Sequence, residues 1–211
     1  MILNQNIKIV ILILSVLATE LFITPEFIMG ENNMVEASNF NKKVLVAYFS
    51  KTGEQYGVGN IIEGNTAIAA KIISEKTNGD LFEIKVKNDN YPKGYTELTE
   101  YAKSEIQQNA RPEIVGNVEN FEQYNVIFIG FPVWWGDKPM PVYTFLNSYD
   151  FTGKTIIPFC THEGSGYCGE QGMNKTGAKV IKGLAMYGHV AQNDRNQADK
   201  QISDWLKRLG F

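Results

Sequence analysis

Cysteine is scarce in this chain of 211 residues: there are two, Cys160 and Cys168, too few for a disulfide framework. Histidine is equally rare, and His162 and His189 do not join the cysteines in the spaced ligand set that zinc requires. A dominant charge is missing as well. Twenty Lys and Arg face 23 Asp and Glu, a net charge of −3. Without residues 1–37, which carry Lys8 against Glu20, Glu26, Glu31 and Glu36, the two signs balance. An even balance offers no basic face for nucleic acid and no acidic field strong enough to steer a basic partner. Internal repeats and low-complexity tracts are absent. The apolar stretch Ile9–Ala18 is short beside the roughly 20 residues of a spanning helix. What is present is 44% hydrophobic, 12% aromatic and 20% charged residues, the make-up of one ordinary globular domain.

The first 37 residues stand apart. MILNQNIKIVILILSVLATELF has one Lys, then the apolar stretch, then polar residues, and Val35-Glu36-Ala37 offers a small-residue cleavage site. The pattern predicts a signal peptide, or an uncleaved anchor over Ile9–Ile28 that ties the protein to a membrane. No cysteine follows for lipid attachment and no Arg-Arg pair precedes. The domain 38–211 is therefore expected outside the cytoplasm, or inside it if the true start is Met29 or Met34.

From Lys43 onward, strand and helix patterns alternate. Lys43–Ser50 is a β-branched apolar run of the kind buried on both faces of a parallel sheet. A helical stripe at 68, 69, 72 and 73 predicts a helix over Thr66–Thr77, closed by Asn78-Gly79. Strands are predicted at Leu81–Val86, Asn125–Phe131, Lys154–Cys160 and Ala178–Tyr187. Helices are predicted at Thr96–Asn109, Pro139–Tyr149, Gly169–Lys175 (short) and Asp194–Leu209. Five strands interleaved with helices imply a doubly wound α/β domain. Its ligands sit beyond the carboxyl ends of the strands, where three loops emerge: 50–66, 131–138 and 161–168.

The first loop, SKTGEQYGVGNIIEGNT, begins and ends like one anion cradle but is divided by ten residues. Ser50, Thr52, Asn65 and Thr66 supply neutral donors, Gly53 and Gly64 allow close approach, and a helix N-terminus follows. It lacks the lysine of a nucleoside-triphosphate loop, and SKTG alone is a common helix-capping turn. The second loop, FPVWWGDKPMP, sets Trp134 and Trp135 side by side. Neighbours on a strand face opposite ways, so one can enter the core while the other lies at a pocket mouth and stacks on a planar ring. The third loop holds a literal GxGxxG at Gly164–Gly169, but one further strand and no suitably spaced acid follow, so it is no dinucleotide fingerprint. Its glycine N–H groups suit ring carbonyls and a ring nitrogen. His162 has no partner nucleophile, and no residue is read as catalytic.

Taken together, SKTG with GNT, FPVWWG, PMPVYTFL and GKTIIPFCTHEGSG resemble the flavodoxin-like family of FMN-binding proteins over Lys43–Phe211, in the branch whose phosphate loop is split by an insertion. The resemblance implies a five-stranded parallel sheet in the order 2-1-3-4-5 with helices on both faces, FMN as cofactor, and EQYGVGNIIE looped out as a surface excursion. It implies that Ser50, Thr52, Gly53, Asn65 and Thr66 hold the phosphate. Pro132, Val133, Trp134, Trp135 and Gly136 would flank the isoalloxazine, with Thr161, His162, Glu163, Gly164 and Gly166 completing the ring pocket. The chain departs from the branch after Gly166, where the fourth helix is shortened. Two thiols at Cys160 and Cys168 are favoured over a disulfide, which export would permit. Stacked aromatics without cations beside the ring disfavour the reduced flavin anion, and Lys51 lies near the phosphate rather than the ring. The function implied is electron transfer to a redox partner protein or small acceptor; the alternative is an FMN-dependent NAD(P)H:quinone or nitro reductase. A signalling receiver domain of the same topology would need acids where Phe49-Ser50 and Phe131-Pro132 stand.

Overall fold

Strand β1, Val44–Tyr48, is buried at every position, because helices cover the sheet it centres on from both sides. The computed structural model describes residues 42–167 and 169–211. The leader or anchor expected at 1–37 lies outside the described residues, as does Cys168 and with it the question of its pairing. After β1, the residues between the two halves of the first loop form a hairpin of β2 (Gly53–Gln55) and β3 (Gly59–Ile61). Helix α1, Asn65–Thr77, ends at Asn78 with φ 50°, and the Gly79 N–H closes the turn on the Ser74 carbonyl at 3.1 Å.

The chain continues through β4 (Asp80–Glu83), α2 (Tyr95–Gln107), β5 (Val126–Pro132) and α3 (Met140–Ser148), which begins with proline in its first turn. Then come β6 (Thr155–His162), β7 (Lys179–Val180), β8 (Leu184–Tyr187), α4 (Gly188–Asn193) and α5 (Arg195–Arg208). Asp194 caps α5, accepting from the Gln197 N–H at 2.9 Å.

The main sheet is parallel in the order β4-β1-β5-β6, with β7 and β8 both on the outer edge of β6. Taking β7 and β8 as one interrupted edge gives the expected order 2-1-3-4-5. The interruption differs from the single strand expected at 178–187 and has a physical cause. The N–H groups of Lys179 and Ile181 bond the carbonyls of Lys154 and Ile156 at 2.9 and 3.1 Å, so alternate residues of β6 face this edge. The next of them is Pro158, which has no N–H to return. Beside it, a Cβ on Gly183 would lie 1.8 Å from the Pro158 oxygen, and the Gly183 N–H turns to the Tyr167 hydroxyl at 3.0 Å instead. The helix expected at 169–175 is a 3-10 turn, Met173–Thr176, and α4 was not anticipated.

Alternate residues of each strand feed two cores. One face buries Val44, Val46, Phe128, Ile157 and Phe159 under α1, α4 and α5. The other buries Leu45, Ala47, Ile127, Ile129 and Ile156 under α2 and α3. The carboxyl ends of β1, β5 and β6 consequently open at one edge of the sheet, where the three loops meet.

Candidate functional site

The divided loop closes at Gly64. A Cβ there would lie 2.1 Å from Ser50 Oγ and 2.6 Å from the Lys51 carbonyl oxygen, so glycine brings the two halves into contact. Ser50 Oγ accepts the Ala67 N–H at 3.1 Å. Gly64 offers no side-chain cap and the first turn of α1 contains no acid, so with the Ala67 N–H held by Ser50 the Asn65 and Thr66 N–H groups and the dipole face an anion. Asn65 Oδ1 is buried there without a hydrogen-bond partner. Thr52 is exposed. Gly53, at φ 96°, packs against the Lys93 backbone and starts the hairpin. The Thr66 hydroxyl is buried against Thr161 at 2.7 Å, tying the first loop to the third. Lys51 Nζ is held by Asp89 at 2.8 and 2.9 Å, away from the cradle.

At the end of β5 the chain reverses in two residues. Trp135 (φ 53°) and Gly136 (φ 79°) both take left-handed backbone, closed by the Asp137 N–H on the Trp134 carbonyl at 3.1 Å. This is the sign pattern of a mirror-image hairpin turn, one that a bulky residue adopts only under strain. The turn separates the two tryptophans. Trp134 packs edge-on against Phe49 and Tyr91, and Tyr91 in turn donates to both oxygens of the buried Glu105 carboxyl at 2.9 and 2.8 Å. Burial raises that carboxyl above the usual range. Trp135 is 56% exposed and pinned by its indole N–H to the Thr99 carbonyl at 2.9 Å.

In the third loop, the N–H groups of Gly164 and Gly166 both point at His162 Nδ1, at 3.0 and 3.3 Å. The expectation that these glycines offer free donors to a ring is corrected: their N–H groups hold the turn together. Two donors on Nδ1 require it unprotonated, and burial lowers the imidazole below its usual value, with His189 acting the same way and Glu163 opposing. Glu163 caps α4, accepting from the His189 N–H at 2.7 Å and meeting His189 Nδ1 at 2.8 Å.

These elements surround a cleft of about 440 Å³, ample for a cofactor-sized ligand. Of the expected residues, Asn65, Pro132, Val133, Trp134, Trp135, Gly136, Thr161, His162 and Glu163 line it. Ser50, Thr52, Gly53, Thr66, Gly164 and Gly166 stand behind or beside it. The cradle at Gly64 fits a phosphate ester, and the half-exposed Trp135 fits a planar ring. Sequence reasoning missed three contributions. Gln55 and Tyr56 on the hairpin line the cleft, as does α2 from Tyr95 to Ala102. Lys138 is fully buried, its Nζ donating to Asp137 Oδ1 (2.9 Å), the Tyr143 hydroxyl (3.1 Å) and the Gln171 carbonyl (2.5 Å). Its position next to the WWG turn was the only available signal. Among the described residues, no group of three or more His, Cys, Asp and Glu is placed to hold a metal, and no helix is long and apolar enough to cross a membrane.

Residues 42–209 match the family model described as Flavodoxin. A candidate flavoprotein from Bacteroides uniformis ATCC 8492 is 31% identical over 77% of this chain and 99% of its own, with a TM-score of 0.60. Another, from Bacteroides eggerthii DSM 20697, is 27% identical over 81% of this chain and 99% of its own, at 0.62. A flavoprotein in complex with FMN from Lactobacillus acidophilus NCFM shares the fold at 23% identity, covering 78% of this chain and 98% of its own, with a TM-score of 0.54. No curated protein matches the sequence.

Proposed function

We propose, from the premise that this chain belongs to the flavodoxin family, that it transfers electrons through an FMN held in the cleft. FMN is the cofactor, and when bound it supplies one- and two-electron chemistry. The observation that carries the reading is the α1 N-terminus: no acid in its first turn, no side-chain cap from Gly64, and Ser50 Oγ beside Gly64 where the two halves of the loop meet. The Ser50 hydroxyl and the backbone N–H groups of Asn65 and Thr66 would receive the phosphate. Trp135 would cover one face of the ring, and the strand ends at Pro132–Val133 and Thr161–His162 would exclude water from it.

The test is a titration of the full chain with FMN and with riboflavin, followed by flavin fluorescence. FMN binding at least about tenfold tighter than riboflavin supports the cradle, since charge-assisted bonds to phosphate contribute about 1.5–3 kcal/mol each. Equal affinities would remove its basis.

A second reading, a reductase using NAD(P)H to reduce a quinone or nitro compound, draws on the hairpin and α2 residues that extend the cleft beyond the strand ends. Steady NAD(P)H oxidation by the FMN-loaded chain favours it; the electron carrier shows none without its redox partner. Residues 1–37 are assigned to export or membrane anchoring on the hydropathy of Ile9–Ala18. N-terminal sequencing of the protein recovered from cell fractions tests that assignment: an intact Met1, Met29 or Met34 on a cytoplasmic protein would refute it.

A further inference from the structure

The residues assigned to the flavin come from the three strand-end loops. The insertion that divides the first of them reads in the sequence as a surface excursion, yet in the structure it runs across the cleft. Its near end is fixed to the start of α2. The Glu54 N–H bonds the Lys93 carbonyl at 2.9 Å, and Glu54 Oε2 accepts the Tyr95 N–H at 3.0 Å. Tyr56 follows, its ring 5.6 Å from that of Tyr95. The chain then turns at Gly57, where φ is 68° and the Val58 N–H returns to the Gln55 carbonyl at 3.2 Å, a turn that calls for glycine or asparagine at its third position. That turn reaches the third loop: a Cβ on Gly57 would lie 3.4 Å from Glu163 Oε2. The far end is tied down at Glu63. Its carboxylate meets Lys71 at 2.7 Å and Arg195 at 2.9 Å, and its carbonyl accepts from Gln192 Nε2 at 2.5 Å.

Between these fixed ends the hairpin is lightly held. Its strands pair with each other and not with the main sheet, and Tyr56, Gly57, Gly59 and Asn60 are exposed. Those are the marks of a segment that opens locally while the sheet stays folded. Gln55 and Tyr56, in the middle of the crossing, line the cleft. Gln55 Nε2 is buried there with no hydrogen-bond partner, an amide donor left for an acceptor on a ligand.

We infer that the insertion is a strap over the flavin site: the Gln55 amide donates to an oxygen of the bound flavin, and the tip at Gly57 has to leave Glu163 before the flavin enters or departs. This deepens the proposed function and rests on FMN occupying the cleft. It adds a contact and a gate that the strand-end loops do not supply.

The experiment is stopped-flow release of FMN, and separately of riboflavin, from the loaded full chain, followed by flavin fluorescence. Equilibrium affinity is measured first in every protein. Gly57→Asp sets a carboxylate against Glu163, and Gly57→Asn is its uncharged counterpart; both accept left-handed backbone, and the tip is exposed. The Asp variant is expected to release both flavins about fivefold faster than the Asn variant, with the gap closing at high salt. Gln55→Leu is expected to weaken FMN binding about fivefold without lowering the urea midpoint of the flavin-free chain, because the donor it removes has no partner there to lose. Three results overturn the inference. They are equal release from the Asp and Asn variants, a gap confined to FMN (direct repulsion of its phosphate), and an FMN affinity that Gln55→Leu leaves unchanged. A full chain that binds no FMN overturns the cofactor reading as well, whereas normal FMN binding with any of the three overturns the strap alone.

Discussion

Two single positions decide whether the cleft can hold a flavin. At Gly64 any side chain meets Ser50 Oγ at 2.1 Å and the Lys51 carbonyl at 2.6 Å, contacts that force the halves of the first loop apart. Gly64→Ala is expected to weaken FMN binding by at least about tenfold and to cost about 1–3 kcal/mol in urea unfolding; unchanged values on both counts would mean that the two halves need not touch. The adjacent tryptophans should behave in opposite ways. Trp134→Ala opens the core beside Phe49 and Tyr91 and should cost about 3–5 kcal/mol. Trp135→Gly loses the bond to Thr99 but relieves a left-handed backbone at φ 53°, so folding stability should move by no more than about 1 kcal/mol. Flavin affinity should nevertheless fall about tenfold with loss of the stacking face. Asn65 and the paired tryptophans were legible in the sequence because their motifs carry a mechanism. Thr66 was legible only in part: the motif marks the residue, but the partner of its hydroxyl, Thr161, is 95 positions away.

The loops act as units braced from behind. In the third loop, His162 Nδ1 gathers the N–H groups of Gly164 and Gly166. The imidazole sits below its usual value through burial first, with His189 acting in the same direction against Glu163. A depressed folded value means that the stabilisation is complete above the ordinary value of about 6.5 and is lost as pH falls through the lower one. FMN affinity should therefore weaken several-fold between about pH 7 and about pH 5. His162→Gln keeps an acceptor oxygen for the glycines but cannot titrate, so its affinity should stay flat over that range; a variant with the wild-type slope would move the titration elsewhere. Behind the tryptophan turn, the buried Lys138 ammonium links Asp137, Tyr143 and the Gln171 carbonyl. Lys138→Met strands Asp137 and should cost about 3–5 kcal/mol by urea unfolding. Adding Asp137→Asn should recover part of the loss, since no unpaired charge then remains. Neither brace could be read from the sequence. Residues 137 and 171, or 162 and 166, come together only through loop geometry that no periodicity encodes. The hairpin was hidden for a related reason. EQYGVGNIIE has no alternating apolar pattern, because its two strands pair with each other and not with the main sheet.

The sheet as a whole was the most legible part, because parallel strands buried on both faces are written as short apolar runs such as KKVLVAYFS and NVIFIGF. The same burial ties the two cores together. Val44 and Val46 serve one face while Leu45 and Ala47 serve the other, so no helical layer can leave without exposing residues whose strand neighbours hold the opposite layer. Phe128 lies edge-on to Trp205 of α5 at 5.6 Å, whereas Phe49 meets Trp134 on the far side at 5.5 Å. Two natural probes thus report on the two faces. Variants that keep only Trp205 or only Trp134, with the other tryptophans changed to Phe, should each give a single urea transition once their own stability difference is measured by circular dichroism. In each variant the fluorescence midpoint should coincide with the circular dichroism midpoint, as expected for a sheet whose layers unfold together. A fluorescence midpoint below the circular dichroism midpoint in one variant only would show that its helical layer detaches first. That layer would then be a separate unit of stability, and the alternation of buried residues along β1 would couple the two faces less than their packing requires.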